Sequence, residues 1–166
     1  MGGLVEYILL LLSVVLVVST LTGSTNNYYN EPTGNKGFTD CSLTKKFAQF
    51  FNVSLTSYTL KRGDRIHWNA DLQIKRTIQW GILHFTMIHQ FKNYTNITFL
   101  DDKFNLCDFF VDLTNKHCPI QPRMYHLYYQ AQIPNLFWPG RYYTKGTAYN
   151  EEGEEMGCQQ TEVTIK

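Results

Sequence analysis

Beyond residue 37 the apolar residues of this chain recur at every second position, which suits one face of an extended strand and not the stripe of a helix. Ile66, Trp68, Ala70, Leu72 and Ile74 are apolar, while His67, Asn69, Asp71, Gln73 and Lys75 between them are polar. Phe51, Val53 and Leu55 alternate with Asn52, Ser54 and Thr56 in the same way. Leu83, Phe85 and Met87 form another stripe, which His89 interrupts before Phe91. Tyr125, Leu127, Tyr129, Ala131 and Ile133 oppose a polar set that includes His126 and Gln130, and Thr161, Val163 and Ile165 close the chain. Turn residues separate the runs at Arg62-Gly63-Asp64, Lys92-Asn93, Pro134-Asn135, Pro139-Gly140 and Glu151-Glu152-Gly153. Past the N-terminal segment no apolar period of 3.6 residues lasts three turns, so Phe109, Phe110 and Leu113 allow one short helical turn at most. Asp101-Asp102 and the acidic group from Glu151 to Glu155 read as solvated turns. The fold class is therefore all-β, a sandwich of two antiparallel sheets with about seven or eight strands.

With 166 residues the chain has room for one domain. Lys and Arg number 15 against 14 Asp and Glu, with no local basic cluster, so the field a nucleic-acid binder needs is absent. Residues 1–24 read as a cleaved signal peptide: Ile8 to Val18 is apolar apart from Ser13, and Thr22 and Ser24 have small-x-small spacing. The front of that segment carries Glu6 and no Lys or Arg, so an uncleaved anchor from Leu4 to Leu21 is the alternative. Residues 25–36 read as a loose leader and 37–166 as the folded domain. Three sequons, at Asn52, Asn93 and Asn96, accord with a secretory route and make these the candidate glycosylation sites.

An exported chain with four cysteines is expected to form disulfides, and four allow three pairings that arithmetic does not separate. The favoured pairing joins Cys107 to Cys118 around a short loop, and Cys41 to Cys158 between the first strand and the last. No Cys-x-x-Cys occurs and no His stands at ligand spacing beside a cysteine, so no metal site or cofactor is expected. His84 and His89, five apart, face opposite sides of one strand. With no G-x-S-x-G elbow and no H-E-x-x-H motif, no catalytic residue is assigned.

Asn105-Leu-Cys-Asp-Phe-Phe110 followed by Cys118-Pro-Ile-Gln121 resembles the paired-cysteine segment of the ML (MD-2-related lipid-recognition) family. Ile133-Pro134, Pro139-Gly-Arg-Tyr142, Ala148-Tyr-Asn-Glu-Glu-Gly153 and Cys158 continue the resemblance in order. Upstream, Cys41 and Leu60-Lys-Arg-Gly-Asp64 extend it to roughly Gly37–Lys166. Within the family the chain is most similar to the phosphatidylglycerol/phosphatidylinositol transfer proteins and the Niemann-Pick type C2-like sterol carriers. The resemblance implies an immunoglobulin-like β-sandwich whose sheets part to hold a lipid, and the same disulfide pairing.

It further implies a secreted or endolysosomal, non-catalytic protein that carries one sterol or phospholipid. The alternative is an innate-immunity-type co-receptor that presents a lipid to a protein partner. The inward set is the expected lipid-binding lining: Trp68, Leu72, Leu83, Phe85, Met87, Phe110, Tyr125, Leu127, Tyr129, Ile133 and Tyr142. On the strand after Gly140 the inward residues shrink from Tyr142 through Thr144 to Gly146 and Ala148, which leaves room for a guest or marks a bulge. Leu136-Phe137-Trp138, an apolar triad between two prolines, is the expected lip for transient membrane contact, or else a loop folded over the core.

Overall fold

The computed structural model describes residues 38–91 and 95–166, so the expected signal peptide 1–24, the expected leader 25–36 and the Asn93 sequon lie outside the described residues. Strands β1 (Phe38–Asp40), β2 (Ala48–Leu55), β3 (Thr59–Leu60), β4 (Arg65–Ile74), β5 (Gly81–Phe91) and β6 (Thr95–Asn105) come first. Helix α1 (Leu106–Thr114) follows, then β7 (Arg123–Gln132), β8 (Gly140–Asn150) and β9 (Glu155–Ile165). The larger sheet has the order β1-β9-β8-β5-β6, with the two residues of β3 running parallel beside β9. The smaller sheet is β2-β4-β7. All other pairs are antiparallel, and the two layers form the expected β-sandwich.

The alternation in the sequence maps directly onto this architecture. Along β4, Ile66, Trp68, Ala70, Leu72 and Ile74 are all buried, and their polar neighbours face solvent. β4 pairs with β7 without a break from Arg65↔Gln132 to Ile74↔Arg123, which puts Leu72 beside Tyr125 and Trp68 beside Tyr129. The phase of β2 slips at a bulge between Phe51 and Ser54, where Asn52 takes a left-handed φ of 49°. Val53 is buried after the bulge, while before it the inward positions are Ala48 and Phe50.

Two expectations are corrected. The segment after Asn105 is a nine-residue helix and not a single turn. Asn105 caps it, its Oδ1 accepting from the Cys107 N–H at 2.8 Å, and Asn115 ends it at φ 55° with its N–H donated to the Val111 carbonyl. Asp101 and Asp102 lie within β6, opposite Thr86 and Phe85, and not in a turn. Since β6 is an edge strand, exposed charges there discourage pairing with another chain.

Both disulfides match the favoured pairing, with Cα–Cα distances of 4.9 Å for Cys41–Cys158 and 5.7 Å for Cys107–Cys118. The first ties residues 117 apart and contributes about 4–5 kcal/mol on the chain-entropy account. The second anchors α1 to the segment before β7. Ile78 and Ile120 continue that anchor by exchanging backbone hydrogen bonds of 3.0 and 2.8 Å.

Candidate functional site: an apolar slot between the sheets

The two ends of the sandwich differ. At one end β7 passes into β8 through residues 134–139, and the described residues there pack closely. Phe137 is fully buried there, its ring centroid 5.2 Å from Phe99 and 5.3 Å from Tyr142. The Tyr142 hydroxyl donates to the Trp138 carbonyl at 2.9 Å, and burial pushes its pKa up to about 12. His89 is also buried, 4.5 Å from the Tyr142 ring centroid, with Nε2 3.2 Å from the Pro139 carbonyl. Gly140 sits at φ 143°, and a Cβ there would meet His89 Nε2 at 2.5 Å, so only glycine lets the loop close this tightly.

At the other end α1, the 75–80 connection and the 115–122 segment cover a gap between the sheets. This slot offers about 80 Å³ to the centres of water molecules, and about 740 Å³ of atom-free space when its open mouth is counted. The surface it exposes is wholly apolar. Water held there would lack the two to four polar partners it needs, so the slot favours an apolar guest. Ala148 and Gly146 of β8 form part of one wall, opposite Leu83 and Phe85 in register. Trp68, Leu72 and Leu127 come from the smaller sheet, and Phe110 and Leu113 from α1. The half-buried members Ala48, Phe50, Phe109 and Leu113 mark the rim. Among the described residues the buried indole Nε1 of Trp68 has no hydrogen-bond partner, an orphan donor at the slot wall.

The structure divides the expected lining. Trp68, Leu72, Leu83, Phe110 and Leu127 line the slot. Phe85, Met87, Tyr125, Tyr129, Ile133 and Tyr142 do not, and the reason is their position along the sandwich. Met87, Ile133 and Tyr142 belong to the closely packed end and are at most 1% exposed. Phe85 faces Gly146, its ring 3.6 Å from where a Cβ would stand, and marks where close packing begins. Tyr125 packs edge-on against Phe110 at 4.9 Å, behind the slot wall, and Tyr129 lies half-buried against the core. Ala48, Phe50, Ile74, Ile78, Leu106, Phe109, Leu113, Ile120 and Met156 line the slot without having been expected. The shrinking residues of β8 were the usable signal, since Gly146 and Ala148 are both in the wall.

The apolar triad takes, at Phe137, the second of its two readings, a loop folded over the core. Phe137 is 0% exposed and plugs the core, so it presents nothing to a membrane. Leu136 and Trp138 are exposed, at 43% and 53%, but at the end of the sandwich remote from the slot. At the slot end the exposed apolar side chains are Leu43, Trp80 and Met124. On the outer face of the smaller sheet Asn52 is exposed, and its Nδ2 donates to Asp71 Oδ2 at 2.7 Å. That bond, with His126 Nδ1 2.5 Å from the other carboxylate oxygen, holds Asp71 below the usual carboxylate range. Asn96 is exposed on the edge strand β6.

A sequence model of the ML-domain family matches residues 36–165, and the chain belongs to that family. A phosphatidylglycerol/phosphatidylinositol transfer protein of Schizosaccharomyces pombe is 23% identical over 97 residues, covering 58% of this chain and 52% of that protein. The chain thus spans about half the length of the curated relative it matches. Among solved structures, a Niemann-Pick type C2 protein from the Japanese carpenter ant superposes with a TM-score of 0.56 at 14% identity, covering 78% of this chain and 98% of that one. Chicken MD-1 complexed with lipid IVa aligns at a TM-score of 0.46 and 16% identity, over 76% and 87% of the two chains.

Proposed function

We propose that this ML-domain chain is a non-catalytic lipid carrier that takes one sterol or phospholipid into the slot at its helix end. The observation that carries this reading is the slot itself: wholly apolar, open at a rim, and bounded by elements that two disulfides tie together. Each methylene moved from water into such a gap is worth about 0.8 kcal/mol, so ten of them offset the cost of parting the sheets and ordering the guest. In its resting state the slot is narrower than a lipid, and uptake widens it. The staples allow this, because core contacts given up between the layers do not release the chain. The S. pombe relative's phospholipid transfer and the fold of the ant protein support the same class of ligand.

On this reading the protein enters the secretory pathway behind residues 1–24 and works outside the cell or in the endolysosomal lumen. Glycans would occupy Asn52, Asn96 and Asn93. Brief membrane contact is made at the slot end, through Leu43 and Trp80, and not through Leu136, Phe137 and Trp138.

Protein purified from a eukaryotic secretory host and sprayed under native conditions is expected to carry one lipid mass, and the stripped protein to take up a fluorescent sterol or phospholipid from vesicles. Empty protein together with no uptake of either would overturn the proposal. A stable protein partner with negligible transfer between vesicles would instead favour the co-receptor reading.

A further inference from the structure

We propose a phosphate-binding subsite beside the slot, formed by Lys116, Arg123 and His126, that seats the headgroup of an anionic phospholipid; this rests on the lipid-carrier reading. A surface pocket of about 330 Å³ lies between the C-terminal end of α1 and the start of β7, lined by these three residues with Leu113, Met124 and Tyr125. Leu113 also lines the apolar slot, so one side chain is the partition between the two spaces. Behind it, Tyr125 leans edge-on against Phe110, another residue of the slot wall. A molecule with an apolar tail in the slot and a polar head across Leu113 reaches this pocket without leaving the protein surface.

The chemistry of the pocket suits a phosphate. Among the described residues neither Lys116 nor Arg123 has a carboxylate within ion-pair distance. Arg123 is nevertheless held in place, its guanidinium 4.6 Å over the Tyr125 ring, and a stacked guanidinium presents its donors as a fixed fork. Such a fork binds two phosphate oxygens at once, and Lys116 adds a compact charge.

Three features oppose an anion here. Asp71 lies on the same sheet, but Asn52 engages one of its oxygens and His126 Nδ1 the other, which leaves His126 Nε2 as the ring atom for the pocket. Asp108 and Asp112 sit on α1, where burial and the Asp108 charge raise the Asp112 carboxyl above its ordinary value, but neither carboxylate lines the pocket. The C-terminal end of α1 contributes about half a negative charge, less than either cation. Three other cations at this end are engaged: Lys45 with Asp40, Lys75 with Lys45 O and Gln49, and Arg76 over the Phe47 ring.

The test compares fluorescent phosphatidylglycerol with diacylglycerol of the same acyl chains, each offered from phosphatidylcholine vesicles to the full chain. Wild type is expected to prefer phosphatidylglycerol about tenfold, as charge-assisted bonds to one phosphate supply, with the preference shrinking as salt rises. In Lys116→Gln/Arg123→Gln the preference is expected to fall below twofold. Lys116→Glu, at an exposed position, is expected to lower it in the same direction should the double variant fold poorly. Uptake of both lipids without preference, or a preference that survives the substitutions, overturns the subsite and leaves the carrier reading standing. Uptake of neither overturns both. Glycerol 3-phosphate is the remaining arm: it is expected not to displace bound phosphatidylglycerol at millimolar concentration, and binding as tight as the lipid's would assign the pocket to a soluble phosphate and overturn the headgroup role.

Discussion

Replacing Gly146 separates a slot from a filled core by the sign of the stability change. A Cβ at Gly146 would stand 3.6 Å from Phe85 Cδ2 and 3.8 Å from Leu83 Cδ1, both ordinary contacts, so Ala fits without displacing anything. Gly in a strand forfeits about 0.5–1 kcal/mol relative to Ala, and one more buried carbon adds about 0.8 kcal/mol. Gly146→Ala should therefore stabilise the lipid-free protein by about 1 kcal/mol. Gly146→Val places three carbons in the slot and should stabilise it by about 1–2 kcal/mol, some of the burial being offset by the lost χ1 freedom. The same carbons exclude the guest from contacts worth about 2 kcal/mol, so lipid affinity should fall about thirtyfold for Val and about fourfold for Ala. Urea unfolding of delipidated protein and titration with a fluorescent lipid measure the two effects. In a filled interior both substitutions would overpack and cost about 1–3 kcal/mol. Destabilisation of that size with undiminished lipid affinity would refute the reasoning.

Three more outcomes follow from the asymmetry between the two ends. Phe137→Ala, which empties the centre of an aromatic cluster, should cost about 3–5 kcal/mol by chemical denaturation, while the exposed Trp138→Ala should cost under about 0.5 kcal/mol. The raised pKa of Tyr142 means that its neutral form belongs to the fold: the stability it contributes is complete below pH 10 and is lost as pH rises through about 12. Tyr142→Phe should flatten that part of the difference curve, and a wild-type-like loss between pH 10 and 12 would contradict the assignment. Trp68→Phe keeps an aromatic wall and removes the orphan Nε1 donor, so urea unfolding of the lipid-free protein should show no loss beyond that of the volume removed, about 1–2 kcal/mol.

The strands were legible because burial on one face of a sheet leaves a period of two in the sequence, as in β4 and β7. Ala48 and Phe50 escaped notice because the bulge at Asn52 reverses the phase of β2, and alternation read backward from Val53 puts the wrong residues inside. Helix α1 was underread although Leu106, Phe110 and Leu113 keep a helical spacing between an Asn at each end. At nine residues it is too short for its period to stand out, and it is stabilised by packing over the slot and by Cys107–Cys118. β6 was missed because edge strands carry charge on purpose, and Asp101-Asp102 resembles a turn. The division of the inward set was the least legible feature. Alternation states which way a residue faces, but not how far along the strand it lies from a void. Only the decline in size toward Ala148 hinted at the location.

The central claim is that the lipid lies at the helix end and nowhere else in the sandwich. Methyl-labelled protein titrated with a lipid carrying a spin label on its acyl chain tests this directly. The account predicts broadening of the Leu72, Leu83, Leu113 and Leu127 methyls while those of Met87 and Ile133 keep their intensity. Broadening centred on Met87 and Ile133, or confined to surface methyls such as Leu136, would contradict it.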